Sequence, residues 1–547
     1  MTISFEPGHS GTLEVNSSEV RLLRSRDEGQ TWEEISPDLT RNDKSKQEAS
    51  GGPITKDNTS VETYGTIFAL AESPHEAGTI WAGTDDGLVQ ITRDAGKTWQ
   101  NVTPKGLPEW IQVNSIDVSP HDKGTAYIAA TMYKHDDLRP YLYRTTDYGQ
   151  TWTKIVSGIP DDAFTRVVRE DTARRGLLYC GTETGAFVSL DAGANWQPFQ
   201  LNLPVVPITD MKVTASDLVV STQGRGFWVL DDLTPVRELN ASIAGKPLHL
   251  FGVRPAMRWN GFGGGPDEGG GAFGRNPANG VVVSYMLAAK PDEKSPLTIE
   301  VLAGDTVLRT FTTRKAEGPP DPAIETLGEQ KAGLNRFVWD MRIRDAELVP
   351  NAIIWGSSDG PKVAPGAYRV RVRLGDTVAE QSFTITANPM TGTTIEDYRA
   401  QYDLLKDCRD RLSDIHAEVL SIREMKAQIQ AIVDRAVKMG KDATLKEPAK
   451  ALIEKLSAIE RRLVNPDIKS SQDVLNFPPS LDHSFAGIAS VSSGADARPT
   501  AGSLTLYRES NAKFAAVLAD YMAIRDSDVA AFNAAVTAAG VPHVGGK

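Results

Sequence analysis

Four copies of one eight-residue pattern, S/T-x-D-x-G-x-T/N-W, restrict this chain more than any other feature. They run Ser25–Trp32, Thr92–Trp99, Thr145–Trp152 and Ser189–Trp196, with Asp27, Asp94, Asp147 and Asp191 spaced 67, 53 and 44 positions apart. Self-similarity at this period marks a repeat architecture, whose units bury their apolar faces against one another. Within each copy the Asp carboxylate can fold back onto backbone N–H groups, and the Ser/Thr hydroxyl adds a local bond. Gly29, Gly96, Gly149 and Gly193 supply the positive φ of a tight turn. Trp32, Trp99, Trp152 and Trp196 each supply a large apolar plate to fill the space between units. The pattern reads as a self-capped turn between two outer strands, which makes its four carboxylates structural and not catalytic.

Strand-like segments surround the turns. The second repeat runs Thr66–Ala71, Thr79–Gly83 and Leu88–Ile91 into its turn, and the third and fourth follow the same plan. A fifth set, Ile208–Val213, Leu218–Thr222 and Phe227–Asp231, lacks the pattern, as terminal repeats often do. The first repeat offers only Thr12–Val15 and Val20–Leu23 before its turn, with no candidate for an innermost strand.

On these residues the chain resembles the Asp-box (bacterial neuraminidase repeat) and sortilin-like β-propellers, including proteins labelled glycosyl hydrolase. The resemblance implies about four to five blades over residues 1–240, the first incomplete, and a chain corresponding to the C-terminal portion of longer relatives. A propeller tolerates only short, protected edges. The missing wall is therefore expected from a second polypeptide, a second copy or an unusual five-blade closure.

The character changes at residue 241. A glycine-dense stretch, Gly261–Gly271, reads as a flexible loop, and it has neither the strand-to-helix setting nor the Gly-Lys-Ser/Thr ending of a phosphate cradle. Short strands follow, among them Tyr368–Leu374 with clean alternation of apolar and basic residues. Residues 241–390 are expected to form an antiparallel sandwich, and Gly333–Asp340 with Pro365–Tyr368 resembles the Ig-like module that follows the propeller in the same relatives. From 391 to 547 the period is helical. Thr393-x-x-Glu396 and Thr444-x-x-Glu447 read as helix starts, and a Pro/Ser-rich link at about 465–499 precedes a last helix. The fold class is mainly β with an α-helical C-terminal region: a partial propeller, a sandwich and a helical tail.

A formal charge of −12 gives no basic field to hold phosphates, so nucleic acid is not expected as a partner. No apolar run reaches the ~18 residues of a membrane span. Cys180 and Cys408, the two cysteines, are expected to be unpaired and buried. The eight histidines show no paired ligand spacing, so no metal site and no cofactor is expected. His75 and His121 recur in equivalent Ser-Pro-His turns and read as turn residues. The opening Met-Thr-Ile-Ser-Phe-Glu has no basic or apolar leader segment, whereas the relatives are typically exported, so localisation stays open.

In a four-stranded blade the Asp-bearing turns open on one face. The links between blades and the turns between second and third strands open on the other. That second face carries varied loops and is where a ligand is expected. It gathers Glu62, Asp85, Asp86, Asp136, Asp137 and Glu183 as candidate catalytic acids. Tyr64, Trp110, Asn114, His135, Arg139, Asp210 and Arg225 are the candidate ligand contacts. Carboxylates with Trp, Tyr and Arg suit recognition of a carbohydrate or peptide. The alternative is a glycoside hydrolase, since two carboxyls flanking a glycosidic bond suffice for cleavage. A scaffold completing a split propeller is the third reading. Asp85-Asp-Gly87 and Glu183-Thr-Gly185 also sit where turn chemistry alone wants acidic residues.

Overall fold

The computed structural model describes residues 3–5, 13–16, 20–57, 63–259, 276–315 and 324–542; Glu62 and the glycine-dense stretch 261–271 lie outside them. The chain divides into two compact units, Met1–Leu239 and Asn240–Lys547.

The first unit is a succession of five antiparallel meanders. Sheet I holds Ile3–Phe5, Leu13–Asn16, Leu22–Ser25 and Glu33–Glu34. Sheet II holds Ile67–Glu72, Ile80–Thr84, Val89–Thr92 and Gln100–Asn101. Sheet III holds Gln112–Val118, Ala126–Met132, Asp137–Thr145 and Thr153–Lys154. Sheet IV holds Thr165–Glu170, Leu178–Thr182, Ala186–Ser189 and Gln197–Pro198. Sheet V has three strands, Ile208–Val213, Leu218–Thr222 and Phe227–Leu230. The first strand of each sheet packs on the first strand of the next, the arrangement of propeller blades. Strands Ile80–Thr84 and Leu178–Thr182 are buried at every residue, because neighbouring sheets cover both of their faces.

Sheet I corrects the expectation of a first repeat without an innermost strand. Ile3–Phe5 pairs with Leu13–Asn16, placing Ile3 opposite Val15. Three residues carry too little alternation to be legible as a strand. A second regularity was not anticipated. In sheets II to V the first strand carries a bulge near its start, at Phe68, Asn114, Arg166 and Thr209. A bulge re-aims side chains and often borders a functional site. Opposite two of these bulges stand Gly83 and Gly181. A Cβ on Gly83 would lie 2.5 Å from Val113 Cγ1, and one on Gly181 would lie 2.5 Å from Ile208 Cγ2. Glycine at these positions lets the next sheet approach.

The second unit packs two sheets over a core that includes Tyr285, Ile299, Val370, Phe383 and Trp339. One sheet has the order Leu248–Leu250, Val281–Leu287, Gly333–Trp339. The other runs Ala256–Met257, Thr377–Thr386, Gly366–Leu374, Leu297–Ala303, Thr306–Thr312, Ile324–Thr326. The expected all-antiparallel pairing is corrected at both edges of this larger sheet. Ala256–Met257 and Ile324–Thr326 pair in parallel, each reached by a long connection instead of a hairpin.

Short helices α1 (Thr234–Glu238) and α2 (Ala241–Ala244) flank the division between the units. Helices α3 (Ile395–Lys438), α4 (Lys446–Leu463), α5 (Leu481–Ser493), α6 (Ala501–Ala523) and α7 (Ala530–Ala538) share one core with Leu412, Ile415, Leu456, Phe485 and Phe514. The capping box forms one residue later than expected. Thr394 Oγ1 accepts from Asp397 N, and the Asp397 carboxylate accepts from Thr394 N. Thr393 is diverted, its hydroxyl donating to Asp496 O. The 444–447 start has no side-chain cap. Helix α5 lies inside the supposed link; Leu481, Phe485, Ile488 and Ala489 give it a buried stripe that the surrounding serines and prolines obscured. Arg258, 2% exposed, ties the sheets to the helices. It donates to Asp496, to Gln401 and to the carbonyls of Lys362 and Val363, with Tyr398 beneath its guanidinium.

Gly83→Ala is expected to destabilise the first unit by about 1–3 kcal/mol through overpacking. Val113→Ala in the same chain should recover part of that loss, so the pair will be non-additive in urea unfolding. Strict additivity would show that the close approach is unimportant.

Candidate functional site

On one face of the first unit the four S/T-x-D-x-G-x-T/N-W turns are built alike. Thr98 N and Thr98 Oγ1 donate to the Asp94 carboxylate at 2.9 and 2.6 Å, and Thr92 Oγ1 donates to Asp94 Oδ1 at 2.8 Å. The same bonds recur at Asp27, Asp147 and Asp191, where Asn195 Nδ2 replaces a hydroxyl. These hydroxyl and amide donors hold Asp27 and Asp94 down to about 2. The residue before each glycine also has positive φ: Glu28, Ala95, Tyr148 and Ala192.

Each turn then reaches the sheet before it. Trp99 Nε1 donates to Ile35 O at 3.0 Å, Trp152 Nε1 to Val102 O at 2.7 Å and Trp196 Nε1 to Ile155 O at 2.8 Å. Among the described residues Trp32 bonds only to Gly29 O of its own turn, and it is 42% exposed. His75 and His121 add a second tie that the sequence did not reveal. Their Nε2–H groups donate to Ser119 O and Asp171 O on the next sheet, at 3.1 and 2.7 Å. A cleft of about 390 Å³ between the turns of sheets III and IV is lined by Asp191, but that carboxylate already accepts from Asn195 N, Asn195 Nδ2 and Ser189 Oγ.

The opposite face brings Tyr64, Trp110 and His135 together. The Tyr64 hydroxyl lies 2.7 Å from His135 Nε2, and the Tyr64 ring is 5.2 Å from Trp110. Arg41 and Lys46, which sequence reasoning missed, stand 5.5 and 5.7 Å from the Trp110 ring centroid. Trp110 is held at φ +67°, a strained setting for an aromatic residue. Asp85 and Asp86 position this cluster. Asp85 Oδ1 accepts from Gly65 N and Thr66 N at 3.0 and 2.8 Å. Asp86 Oδ2 accepts from Arg41 N, and its carbonyl from Arg41 Nε. Burial raises Asp85 above the ordinary carboxyl range, and burial with the two acids raises the Tyr64 phenol.

The remaining candidates separate. Asp136, Asp137 and Arg139 line an open groove of about 660 Å³ with Asp161 and Asp162, two acids the sequence reading did not select. Arg139 grips Asp137 through both carboxylate oxygens, at 2.9 and 2.7 Å, and with Tyr141 holds it well below the usual range. Glu183 pairs with Arg166, the bulge residue of sheet IV, at 2.6 Å. Asn114, the bulge residue of sheet III, spans to sheet IV by donating to Thr165 O at 3.3 Å. Arg225 stays at a hairpin of sheet V, where its carbonyl accepts from Trp228 Nε1.

Asp210 belongs to a different network along the first strands. Arg169 on sheet IV donates to Asp210 and to Met211 O on sheet V, and to Ser115 Oγ on sheet III. Its guanidinium lies 4.0 Å from Asp117. Desolvation pushes Asp117 up to about 6, against the pull of Arg169 and of the Glu170 N–H. Among the described residues no group of three or more His, Cys, Asp or Glu is placed to hold a metal ion. Cys180 and Cys408 are free and buried.

No family model matches the chain. It is similar to an oligoxyloglucan-reducing end-specific xyloglucanase of Emericella nidulans, 26% identical over 109 residues, which covers 20% of this chain and 14% of that protein. It is also similar to a xyloglucanase of Acetivibrio thermocellus, 28% identical over 141 residues, 22% of this chain and 17% of that protein. The chain thus matches only about a sixth of the length of these curated relatives. Among solved structures, a GH74 xyloglucanase from Xanthomonas campestris is similar at 16% identity and a TM-score of 0.34, over 44% of this chain and 37% of that one. Among the described residues no helix is long and apolar enough to cross a membrane.

Asp117 yields a pH signature. Its folded value of about 6 lies above the ordinary 3.8, so the folded state holds the proton more tightly than the unfolded chain. That contribution is full below the unfolded value and lost as pH rises through about 6. Unfolding midpoints measured from pH 4 to 7 are expected to fall more steeply in the wild type than in Asp117→Asn. Parallel curves would refute this assignment.

Proposed function

We propose that the first unit recognises a carbohydrate, in the manner of a propeller glycoside hydrolase, with Tyr64 and Trp110 as its platform. The observation that carries this reading is the aromatic pair beside an acid-lined groove, on the face opposite the tryptophan-bearing turns. Aromatic faces bury the apolar sides of sugar rings, while acids, His135 and the cations serve hydroxyls. The two xyloglucanases support a polysaccharide of the xyloglucan kind over a peptide, the other ligand class considered. We read the four turns as Asp boxes of the neuraminidase-repeat type and the two-sheet region as the Ig-like module of such proteins. The three regions 1–240, 241–390 and 391–547 are then its propeller, sandwich and helical parts.

For cleavage, Asp85 and Asp137 have opposed environments. A carboxyl raised by burial suits a proton donor, and one held ionised by Arg139 suits stabilisation of positive charge. Calorimetric titration with xyloglucan oligosaccharides is expected to show binding that Trp110→Ala weakens about tenfold, roughly 1.4 kcal/mol. Arg225→Ala should leave it unchanged. Release of reducing ends that disappears in Asp85→Asn would mark a hydrolase. Binding without release would leave a recognition module. No binding by the wild-type chain would sink the carbohydrate reading.

A second reading rests on Trp32. Its three counterparts each clamp a preceding sheet, whereas Trp32 clamps none of the described residues and remains 42% exposed. We propose that a further blade, from a second polypeptide or a second copy, packs against the exposed face of this indole. Light scattering at rising concentration, with Trp32→Ala as control, is expected to show Trp32-dependent association for a second copy. A strictly monomeric chain leaves a second polypeptide as the source.

A further inference from the structure

The second unit contains a cavity of about 170 Å³ where α3 and α5 meet segments 349–353 and 464–468. His416 of α3 and Asp482 of α5 face each other across it, with side chains only 2% and 5% exposed. Val349 N–H donates to His416 Nδ1 at 3.2 Å, which places the ring hydrogen on Nε2. Burial lowers the pKa of this ring despite the neighbouring Asp482, so it is neutral. Its Nε2 has no hydrogen-bond partner among the described residues. The Asp482 Oδ2 atom is 4.0 Å away, beyond hydrogen-bond range. Asp482 Oδ1 is occupied by Ser480 Oγ and His483 N. Leaving a buried donor unpaired costs about 1–3 kcal/mol, so something is expected to fill the gap.

The chemistry of the gap is selective. One atom about 2.8 Å from both groups would satisfy them. It must accept from Nε2–H and donate to a carboxylate. An ammonium group cannot accept, an ionised carboxylate cannot donate, and a phosphate would set its negative charge against the Asp482 carboxylate. A metal ion would need the Nε2 lone pair, which the bonded Nδ1 leaves occupied by hydrogen. A hydroxyl oxygen does both. The cavity has room for roughly five or six waters at about 30 Å³ each, so the hydroxyl can belong to a small carbon skeleton. Asn351, Asn465 and Arg423 also line it, the last held by Glu460 at 2.7 Å.

We propose that this cavity binds a small polyhydroxy ligand, a polyol or the terminal unit of a glycan, with one hydroxyl bridging His416 Nε2 and Asp482 Oδ2. The site lies wholly in the second unit and does not depend on the reading of the first. The test uses the full chain labelled with ¹⁵N-histidine, titrated with glycerol, xylose or a xylose-terminated oligosaccharide. Saturable movement of the His416 Nε2–H resonance is expected, with His483 of the same cavity free to follow it and His75, His121 and His249 unmoved. Asp482→Asn should weaken binding tenfold or more. Asn465→Ala, away from the helix start, should weaken it several-fold if the first variant fails to fold. Response to glycerol and xylose indicates a free polyol, and response to the oligosaccharide alone indicates a glycan end. A resonance that no probe moves means the gap holds water alone, and the proposal is then wrong.

Discussion

The first unit depends on an indole N–H donating to a main-chain carbonyl of the preceding sheet. The acceptor always lies three residues beyond that sheet's own tryptophan or its equivalent: Ile35 after Trp32, Val102 after Trp99 and Ile155 after Trp152. A hydrogen bond of this kind contributes about 0.5–1.5 kcal/mol net, and burial of the ring adds more. The aspartates do not make this contact. They fix the turn so that tryptophan leaves it in the right direction, and the turn glycine lets the turn come close. A Cβ on Gly96 would fall 2.3 Å from Ile35 O. One motif therefore serves both as a local cap and as the joint between sheets.

Placing the joints on one face has a consequence for the other. The His75 and His121 ties arise from the turns between first and second strands, which open on the same side as the tryptophan-bearing turns. Among the described residues the links between sheets on the opposite side carry none of these joints. Acids on that side are used differently, Asp85 and Asp86 of the turn between the second and third strands of sheet II organising the backbone that presents Tyr64 and Arg41. The recurring bulge belongs to the same side and turns Asn114 and Arg166 away from ordinary strand pairing. The rigid rim and the variable rim are consequences of one repeat.

Much of the fold was legible because its information is local. The repeat pattern, the three-strand fifth set and the helical period after 391 all lie within windows of a dozen residues. The strand Ile3–Phe5 and helix α5 were not legible, the first being too short and the second masked by serine and proline. The edge strands Ala256–Met257 and Ile324–Thr326 owe their direction to partners far along the chain, which no local window contains. The candidate site divides the same way. Topology alone gathers Tyr64, Trp110 and His135 on one face, whereas Arg41, Lys46, Asp161 and Asp162 join only through loop paths. The pairing of Asp137 with Arg139 uses neighbours two apart, yet its bidentate geometry comes from the strand start that aligns them.

The two units also satisfy buried polar groups in different ways. In the first, the turn carboxylates, the indoles and His75 and His121 find partners within their own turn or on the adjacent sheet, so each addition to the array brings its own partners. In the second, Arg258 takes its partners from positions 362, 363, 401 and 496, and it is satisfied only when sheets and helices assemble together. Removing one member of such a network strands a buried charge, which is strongly destabilising even where the intact network adds little net stability. His416 departs from both patterns. Its Nδ1 accepts from Val349 N, while Nε2 opens on a cavity with a carboxylate oxygen across from it. Arg258 gathers four acceptors and the Tyr398 ring around one buried group, whereas His416 Nε2 faces its nearest acid across 4.0 Å of cavity, a spacing that one bridging hydroxyl closes.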